Sequence, residues 1–236
     1  MAETDDETID DFFHINEMNP AKILENAISL STGRLKKYGN FDFLNNIQVI
    51  TPSKKGSLGT KELNNQLQKY INPANSIKKE RNYGETIFRE NDRVMQIKNN
   101  YDINWNKKGE HGKGIFNGEF GLIECIDNKE KMLKIIFDDE KEAWYNFNEL
   151  EQLELAYAIT IHKSQGSEFD VVILVIPPQI IPMLLTRNLL YTAITRAKKL
   201  LIIVGGNNII DYMIGNIHTK ARNTGLKNRF NNNLAK

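Results

Sequence analysis

The sequence predicts an α/β fold in which a parallel sheet flanked by helices is interrupted by a small inserted β-barrel. Strand and helix patterns alternate near both ends of the chain, whereas the middle contains mainly short strand patterns separated by turns. Formal charge follows the same division, with +7 for residues 20–79, −6 for residues 80–155 and +7 for residues 156–236. We therefore expect an insertion at residues 86–154, between the two parts of the parallel-sheet domain at residues 1–85 and 155–236.

The overall composition excludes several classes of protein. The 236 residues are 40% hydrophobic and 26% charged, as in ordinary globular chains, so we do not expect disorder throughout. The net charge of +1 indicates no particular partner. The two basic blocks, residues 20–79 and 156–236, can share a cleft that binds phosphates. The alternative is that the charges are segregated by chance. The lone Cys125 excludes a disulfide framework and favours a cytoplasmic setting, and the four histidines show no metal-ligand spacing. The longest apolar run, residues 171–185, is short for a membrane span.

The first segment alternates strands and helices. Residues 11–15 predict a short strand, and the pair Asn19-Pro20 begins a helix that extends to about Lys37. Residues 47–50 predict a buried strand. A turn containing glycines then leads to a helix from Thr60 that carries apolar residues on one face, namely Leu63, Leu67 and Ile71.

The middle segment predicts short strands at residues 93–97, 121–126, 132–137 and 143–147, with turns at Asn117-Gly118 and Asp127-Asn128. The last segment returns to buried parallel strands, at residues 155–160, 170–176 and 200–205, with a helix at residues 186–197. We expect the Asn-rich tail to form one or two short helices. This order of elements defines the fold class.

The greatest concentration of polar side chains lies at residues 156–170, between two predicted buried strands. A loop beyond the end of a parallel strand is where open α/β sheets bind ligands. The hydroxyl, imidazole, ammonium and amide groups of this loop suit phosphate oxygens, and Gly166 permits close approach of the backbone. Glu168 can accept a hydrogen bond from a ribose hydroxyl. The alternative is an ordinary polar loop in which His162 is simply hydrogen-bonded.

Two further segments suit anions. Residues 188–199 predict a helix that ends at Arg196, where a guanidinium can reach a neighbouring phosphate and stabilise charge during transfer. A basic residue that merely complements the helix dipole is the alternative. Residues 48–68 combine a strand, a loop with Lys54 and Lys55, and a helix N-terminus. The alternative there is a solvated basic turn.

Taken in chain order, residues 48–68, 156–170 and 188–199 resemble motifs IV, V and VI of superfamily 1 helicases, and specifically those of the RecD-like branch. The similarity covers nearly the whole chain, because other strings also match, at residues 11–13, 92–96, 116–121 and 222–226. In RecD-like helicases, an SH3-like barrel interrupts the second RecA-like domain. The resemblance therefore implies a RecA-like, P-loop-NTPase-type parallel sheet with an inserted SH3-like barrel.

The resemblance also implies a function. This chain would be the C-terminal motor part of an ATP-dependent 5′ to 3′ helicase, of the exodeoxyribonuclease V alpha type, acting on single-stranded and duplex DNA in recombination and repair. ATP with Mg²⁺ would bind between two RecA-like domains, and other exodeoxyribonuclease V subunits are possible partners. The implied residues are Arg196 as arginine finger, Lys55, Gly166 and Glu168 at the nucleotide, and Thr51, Pro52, Asn64, Thr160, His162, Lys163 and Ser164 at the DNA.

One departure from the family pattern is Ser53, which stands where the family has methionine after the proline. It leaves open whether Lys54 or Lys55 makes the motif IV contact.

The sequence contains no P-loop, since no stretch reads Gly, four residues, Gly-Lys and then Ser or Thr. Residues 109–114 contain glycines and a lysine, but their spacing is not that of a P-loop. Residues 133–140 imitate a Walker B strand, but Trp144 and Tyr145 follow at hairpin distance, so we interpret this stretch as a turn of the barrel. We therefore expect ATP hydrolysis to require an upstream RecA-like domain and this chain alone to be inactive.

A second hypothesis is a stand-alone, non-enzymatic module that binds single-stranded DNA or a protein. The barrel segment supplies aromatic residues whose rings can stack on bases, although such rings more often fill a barrel core: Tyr101, Trp105, Trp144 and Tyr145. Binding that is lost in Trp105→Ala but kept in Arg196→Ala and Lys55→Ala would favour this hypothesis.

Overall fold

The computed structural model describes residues 10–179 and 184–217. In chain order, the elements are β1 (Phe12–Ile15), α1 (Pro20–Ser29), a π-helical turn (Leu30–Arg34), α2 (Leu35–Gly39), β2 (Ile47–Thr51), α3 (Thr60–Ile71), β3 (Glu80–Tyr83), β4 (Thr86–Arg89), β5 (Arg93–Gln96), β6 (Asn100–Lys107), β7 (Glu110–Ile115), β8 (Phe120–Asp127), β9 (Met132–Phe137), β10 (Glu142–Asn146), a 3₁₀ turn (Phe147–Gln152), β11 (Leu153–Leu155), β12 (Ala158–Thr160), β13 (Phe169–Val175), α4 (Arg187–Ile194), β14 (Ala197–Val204) and α5 (Asn207–Gly215).

The parallel sheet draws its strands from both ends of the described chain, in the order β1-β14-β13-β2-β12. Residues of β13 alternate between two cores, as the pleat of a strand dictates. Val171 and Ile173 pack on the side of α1 and α3, and Val172 and Leu174 on the side of α4 and α5. Helices cover both faces, which explains why these strands are continuous apolar runs in the sequence.

The middle of the chain forms a seven-stranded antiparallel sheet, β11-β5-β8-β9-β10-β6-β7, and a separate hairpin, β3-β4. Alternate residues of β9 and β10 point into its core, among them Leu133, Ile135 and Tyr145. Together with the parallel sheet, this confirms the predicted fold class, a parallel α/β domain with a β-rich insertion.

A buried carboxylate, Asp92, joins the insertion to the parallel-sheet domain. It accepts hydrogen bonds from Gln68 Nε2 of α3 (2.6 Å), from Asn72 Nδ2 just after that helix (2.7 Å), from Tyr157 Oη (2.8 Å), and from the backbone N of Arg89 (2.7 Å). Burial raises the pKa of the Asp92 carboxyl to about 6, although these four donors oppose the change. The string 92–96, noted as a family match, thus begins at a structural junction.

Arg93 forms a second junction beside it. Its Nη1 donates to the backbone O of Leu44 (2.5 Å), its Nη2 pairs with Asp138 (3.1 Å), and its guanidinium lies 5.2 Å from the ring centroid of Phe120. The side chain is largely buried. A planar cation with several donors suits such a position, because it can bind a carbonyl, a carboxylate and an aromatic face together.

Two predicted elements differ from the structure, and four strands were not predicted. The strand expected at residues 155–160 is two strands: Leu155 pairs antiparallel with Val94 in the insertion, and Ala158 pairs parallel with Val49. The helix from Pro20 continues through the π-helical turn and ends at Gly39, followed by a left-handed cap residue. The hairpin β3-β4 and strands β6 and β7 were not predicted, because their sequences are polar and lack a clear alternation. One short helix of the predicted tail is present as α5 (Asn207–Gly215), whereas the rest of the tail, with the string 222–226, lies outside the described residues.

Candidate functional site

The loop of residues 161–168 runs from the edge of the parallel sheet where the strands end to the opposite edge, where the strands begin. It leaves β12 after Thr160, which aligns with Thr51 at the carboxyl end of β2, and it enters β13 at Phe169, which aligns with Ala197 at the amino end of β14. Because β12 and β13 are parallel, the chain must cross from one edge to the other within this loop. The candidate site therefore has two parts, which we call the carboxyl edge and the amino edge.

At the carboxyl edge, the loop of residues 52–59 follows β2. Thr51 and Pro52 are buried, and the Thr51 hydroxyl donates to the backbone O of Leu58 (3.0 Å), which closes the loop on itself. The Lys54 ammonium pairs with Glu154 at 3.0 Å. Lys55 is exposed, and its ammonium has no partner within residues 10–179 and 184–217. Lys55 is thus the free cation of this loop.

Asn64, predicted at the DNA, has a buried side chain that is committed to the edge strand β12. Its Nδ2 donates to Ala158 O (2.9 Å), and its Oδ1 accepts from Ala158 N (2.8 Å). Both backbone groups of Ala158 point away from β2, so the amide of Asn64 takes the place of a further strand. This role could not be predicted, because an Asn on a helix face gives no sign in the sequence that it will bond to a strand.

The first half of the loop 161–168 also contains side chains that stabilise the loop. The Ser164 hydroxyl is fully buried and donates to Ile161 O (2.8 Å), and the Thr160 hydroxyl accepts from Lys163 N (3.3 Å). His162 is exposed, and its ring makes no hydrogen bond with the described part of the chain. The exposed imidazole argues against the alternative that His162 is simply hydrogen-bonded within a polar loop.

Glu154, on β11 of the insertion, connects both loops of the carboxyl edge. Its Oε1 lies 3.0 Å from Lys54 Nζ, and its Oε2 lies 2.7 Å from Lys163 Nζ. Burial by itself would raise the pKa of Glu154, but the two ammonium groups lower it below its ordinary value. Burial lowers the pKa of the Lys163 ammonium, and Glu154 opposes this effect. Sequence analysis did not identify Glu154, which in the sequence is only the polar member of an alternating strand.

The amino edge brings together Gly166, Glu168 and Arg196. Gly166 has a left-handed backbone (φ +86°), and a side chain there would meet open space. Glu168 is exposed, with its carboxylate 3.5 Å from the ammonium of Lys198. This set offers an accessible backbone, a carboxylate and two cations. Such groups fit a ribose and part of a polyphosphate.

All three guanidinium nitrogens of Arg196 are hydrogen-bonded within the chain. Nε donates to Thr192 O (3.1 Å), Nη1 to Ser167 O (2.9 Å) and Nη2 to Thr195 Oγ1 (3.0 Å). The side chain is half-buried. Arg196 therefore does complement the end of α4, as the alternative reading of this residue holds, and it also contacts the loop 161–168.

Lys55 does not lie with the other predicted nucleotide residues. Arg196 adjoins the first residue of β13, and Lys55 follows β2 at the level of the last residues of β13. The seven residues of β13 separate these levels by roughly 20 Å at about 3.3 Å per residue. Lys55 shares its edge with His162 and Lys163 instead.

The two stretches that imitate nucleotide-binding motifs, residues 109–114 and 133–140, lie in hairpins of the insertion. Asp138 and Asp139 lie in the turn between β9 and β10, where Trp144 pairs with Lys134 and Tyr145 with Leu133, so the predicted barrel turn is confirmed. Within the described residues, no cluster of three His, Cys, Asp or Glu side chains could hold a metal ion.

The aromatic residues of the insertion differ in exposure. Tyr101 and Trp144 are exposed, with relative accessibilities of 67% and 45%, and Trp105 packs partly against the core. Tyr145 is fully buried, with its hydroxyl on Gln96 (3.0 Å), so its suggested role in stacking on bases is wrong. No helix within the described residues is long and apolar enough to cross a membrane.

Two family models match this chain. The ATP-dependent RecD-like DNA helicase SH3 domain matches residues 63–137, and the UvrD-like helicase C-terminal domain matches residues 155–204. The second match includes the loop 161–168 and Arg196. The first covers α3, the hairpin β3-β4 and the first five strands of the seven-stranded sheet.

Curated relatives match most of the chain. They include an uncharacterized protein, MJ1519, of Methanocaldococcus jannaschii, which is 33% identical over 92% of this chain and 20% of its own length. The ATP-dependent RecD2 DNA helicase of Deinococcus radiodurans is 34% identical over 78% of this chain and 23% of its own length. The RecBCD enzyme subunit RecD of Haemophilus influenzae is 28% identical over 70% of this chain and 22% of its own length. The chain spans about a fifth of the length of these relatives.

The two family models and these relatives make the chain similar to the C-terminal part of superfamily 1 DNA helicases. Within that class it is similar to the RecD-like helicases, as the sequence motifs predicted. Among solved structures, Bacteroides Pif1 bound to single-stranded DNA has 16% identity and a TM-score of 0.48 over 92% of this chain and 55% of that one. Pif1 of Candida albicans has 14% identity and a TM-score of 0.44 over 91% of this chain and 57% of its own.

Proposed function

We propose that this chain supplies the second RecA-like motor domain and the SH3-like barrel of an ATP-dependent 5′ to 3′ DNA helicase of the exodeoxyribonuclease V alpha type. Such an enzyme would act in DNA recombination and repair in the cytoplasm, alone or with other exodeoxyribonuclease V subunits. The observation that carries the proposal is the loop 161–168, which has Lys163 at the carboxyl edge and Ser167, the acceptor of Arg196, at the amino edge. One short segment thus lies at both edges, where we place the DNA and the nucleotide.

The amino edge is the proposed nucleotide side. ATP with Mg²⁺ would be held mainly by a P-loop domain outside these residues, and the nucleotide supplies the phosphoryl group that is transferred to water. Gly166 would allow the backbone to approach the nucleotide closely, and Glu168 would accept a hydrogen bond from a ribose hydroxyl. Arg196 would exchange its internal hydrogen bonds for the γ-phosphate and stabilise the charge that develops there.

The carboxyl edge is the proposed DNA side, and we assign Lys55 to it rather than to the nucleotide. Four side chains there are exposed or partly exposed and carry an ammonium or imidazole group: Lys54, Lys55, His162 and Lys163. The buried side chains of Thr51, Pro52, Asn64, Thr160 and Ser164 would act on DNA indirectly, by shaping the two loops that carry these exposed groups.

A reconstitution experiment tests the proposal. The chain would be joined to, or mixed with, a P-loop RecA-like domain, and ATP turnover would be measured with and without single-stranded DNA. We expect DNA-stimulated turnover in the reconstituted protein and none in the chain alone. Arg196→Ala should lower turnover by roughly 10³-fold with little change in the KM for ATP, because a finger acts in the transition state.

Arg187→Ala is the matched control for that substitution. Arg187 begins the same helix, is exposed, and donates from Nε to Ile214 O (2.6 Å). Its loss removes the same charge at the opposite end of α4 and should leave turnover within about twofold. Equal turnover in Arg196→Ala and Arg187→Ala would contradict the proposed finger.

The second candidate, a non-enzymatic binding module, is supported by the exposed ring of Tyr101, which packs edge-on against Phe116 at a centroid distance of 5.6 Å. An exposed aromatic pair can hold a base. DNA binding that Tyr101→Ala abolishes while Lys55→Ala and Lys163→Gln leave it unchanged would favour this candidate over the motor.

A further inference from the structure

Two of the lysines at the carboxyl edge, Lys54 and Lys163, come from loops that follow neighbouring strands. Lys54 follows β2 and Lys163 follows β12, and the last residues of these strands, Thr51 and Thr160, are paired. Two ammonium groups that converge in this way repel each other unless an anion lies between them. In this structure the anion is the carboxylate of Glu154, which gives one oxygen to each lysine.

We propose that Lys54 and Lys163 form one phosphate-binding site for single-stranded DNA, and that Glu154 occupies this site when DNA is absent. The inference rests on the proposed function and extends it to a competition within the protein. A phosphodiester has the same single negative charge as the carboxylate and also presents two oxygens to donors. DNA phosphate can therefore replace Glu154 on both lysines without leaving either cation unpaired.

The exposure of the three groups makes such an exchange feasible. The side chain of Lys54 is 56% exposed and that of Glu154 is 37% exposed, so water screens this pair and its contribution to stability is small. Lys163 is 22% exposed and needs a counterion at all times, which either the carboxylate or a phosphate provides. Lys55, beside Lys54, remains available for a neighbouring phosphate.

Glu154 also borders a groove of about 540 Å³ that lies between the loop 52–59, the tip of hairpin β3-β4 and strand β11. DNA that displaces Glu154 would therefore enter at the boundary between the parallel-sheet domain and the insertion. Through this carboxylate the insertion would set the affinity of the motor domain for DNA.

Glu154→Gln is the direct test, with Glu151→Gln as its matched control. Glu151 borders the same groove and pairs with the exposed Lys98 at 2.6 Å, so its substitution causes an equal change in charge. Binding of fluorescein-labelled oligo(dT) to the whole chain would be measured by anisotropy over a series of KCl concentrations. We expect Glu154→Gln to bind about three- to tenfold more tightly at low salt, and the slope of log K against log salt to steepen by about 0.7.

The control variant should bind like the wild type, within about twofold, since Glu151 pairs with the exposed Lys98 and with neither lysine of the proposed site. Unchanged or weaker binding by Glu154→Gln, with wild-type binding present, would overturn this inference alone. Absence of binding by wild type and both variants would overturn the inference and the proposed function together.

A second pair of variants covers the case in which Glu154→Gln does not fold, as circular dichroism would show. Lys54→Gln removes one side of the proposed site, and Lys98→Gln removes the partner of the control residue. Both lysines are more than half exposed, so both variants should fold. Lys54→Gln should weaken oligo(dT) binding several-fold and Lys98→Gln should not. Equal affinities of these two variants would overturn the inference.

Discussion

Arg196 donates a hydrogen bond of 2.9 Å from Nη1 to the backbone O of Ser167, and Phe169 N donates to Arg196 O at 2.8 Å. Arg196, two positions after the end of α4, is thus bound by side chain and backbone to the end of the loop 161–168. A guanidinium that moves out to a phosphate gives up the first bond and keeps the second. Under the proposed function, nucleotide binding would therefore free one end of a loop whose other end carries Lys163.

Arg196→Lys separates the charge of this residue from its geometry. A lysine keeps the charge but cannot reach Thr192 O, Ser167 O and Thr195 Oγ1 together, so the free energy of unfolding should fall by about 1 kcal/mol. In the reconstituted enzyme we expect turnover to fall by roughly 10²-fold or more, because a single ammonium donor replaces a planar fork. Urea unfolding and steady-state ATPase assays measure these effects. Turnover close to wild type would show that charge alone suffices.

Gly166→Ala tests the left-handed backbone at the amino edge. The added methyl would meet no atom within 4 Å, so any loss of stability must come from the φ of +86°. We expect a loss of about 1–2 kcal/mol, which Gly166→Asn should reduce, since Asn tolerates this region better.

Gly33→Ala is the control for that substitution. Gly33 lies in the π-helical turn, and an added methyl there would also meet no atom within 4 Å, without the left-handed φ. Alanine should be neutral or stabilising at this position by up to about 1 kcal/mol. Losses of equal size at both positions in urea unfolding would show that backbone strain is not the cause at Gly166.

Much of the fold follows from local sequence. The strands of the parallel sheet are buried on both faces, so their apolar runs identify them, and Asn19-Pro20 marks the start of α1 by a cap that the structure contains. The Walker B imitation at Asp138 was excluded correctly, because hairpin spacing is a local property. The resemblance to RecD-like helicases rested on three segments in chain order. The UvrD-like model contains residues 156–170 and 188–199, whereas the RecD-like SH3 model begins at residue 63 and includes only the end of residues 48–68.

The relation between distant residues could not be predicted in the same way. Lys55 and Arg196 were grouped by analogy, and only the pairing of β2 and β13 assigns them to opposite edges of the sheet. The commitment of Asn64 to Ala158 depends on a helix and a strand that are 94 residues apart. Sequence patterns report which face of an element is apolar, but not which polar side chain satisfies which backbone group.

Asn64→Leu should destabilise the edge strand β12. The substitution leaves the N–H and C=O of Ala158 without partners in a buried place, and we expect a loss of about 2–4 kcal/mol in the free energy of unfolding. Asn65→Leu is the control, since the Asn65 side chain is partly exposed and forms no hydrogen bond with the described residues. It should change stability by less than about 0.5 kcal/mol. Similar losses in the two variants would contradict the role assigned to Asn64.

Asp92 should make stability depend on pH in an unusual direction. Its pKa is about 6 in the folded chain against an ordinary value of 3.8 for this carboxyl, so the folded state holds the proton more tightly than the unfolded state. The contribution of Asp92 to stability is therefore greatest below pH 4 and decreases as pH rises to about 6. At 1.36 kcal/mol per pKa unit the decrease amounts to about 3 kcal/mol.

Comparison of wild type with Asp92→Asn isolates this effect, because other titrating groups cancel in the difference. The asparagine variant should be less stable at every pH, since its amide N–H groups face the donors of Gln68 and Asn72. Its deficit should narrow by up to about 3 kcal/mol between pH 4 and pH 7, as measured by urea unfolding. Asp170→Asn is the control of opposite sign, because Lys199 lowers the pKa of Asp170 and stability from that pair is lost as pH falls. A deficit of Asp92→Asn that is constant, or that widens with pH as expected for Asp170→Asn, would show that Asp92 is ionised at no cost in the folded chain.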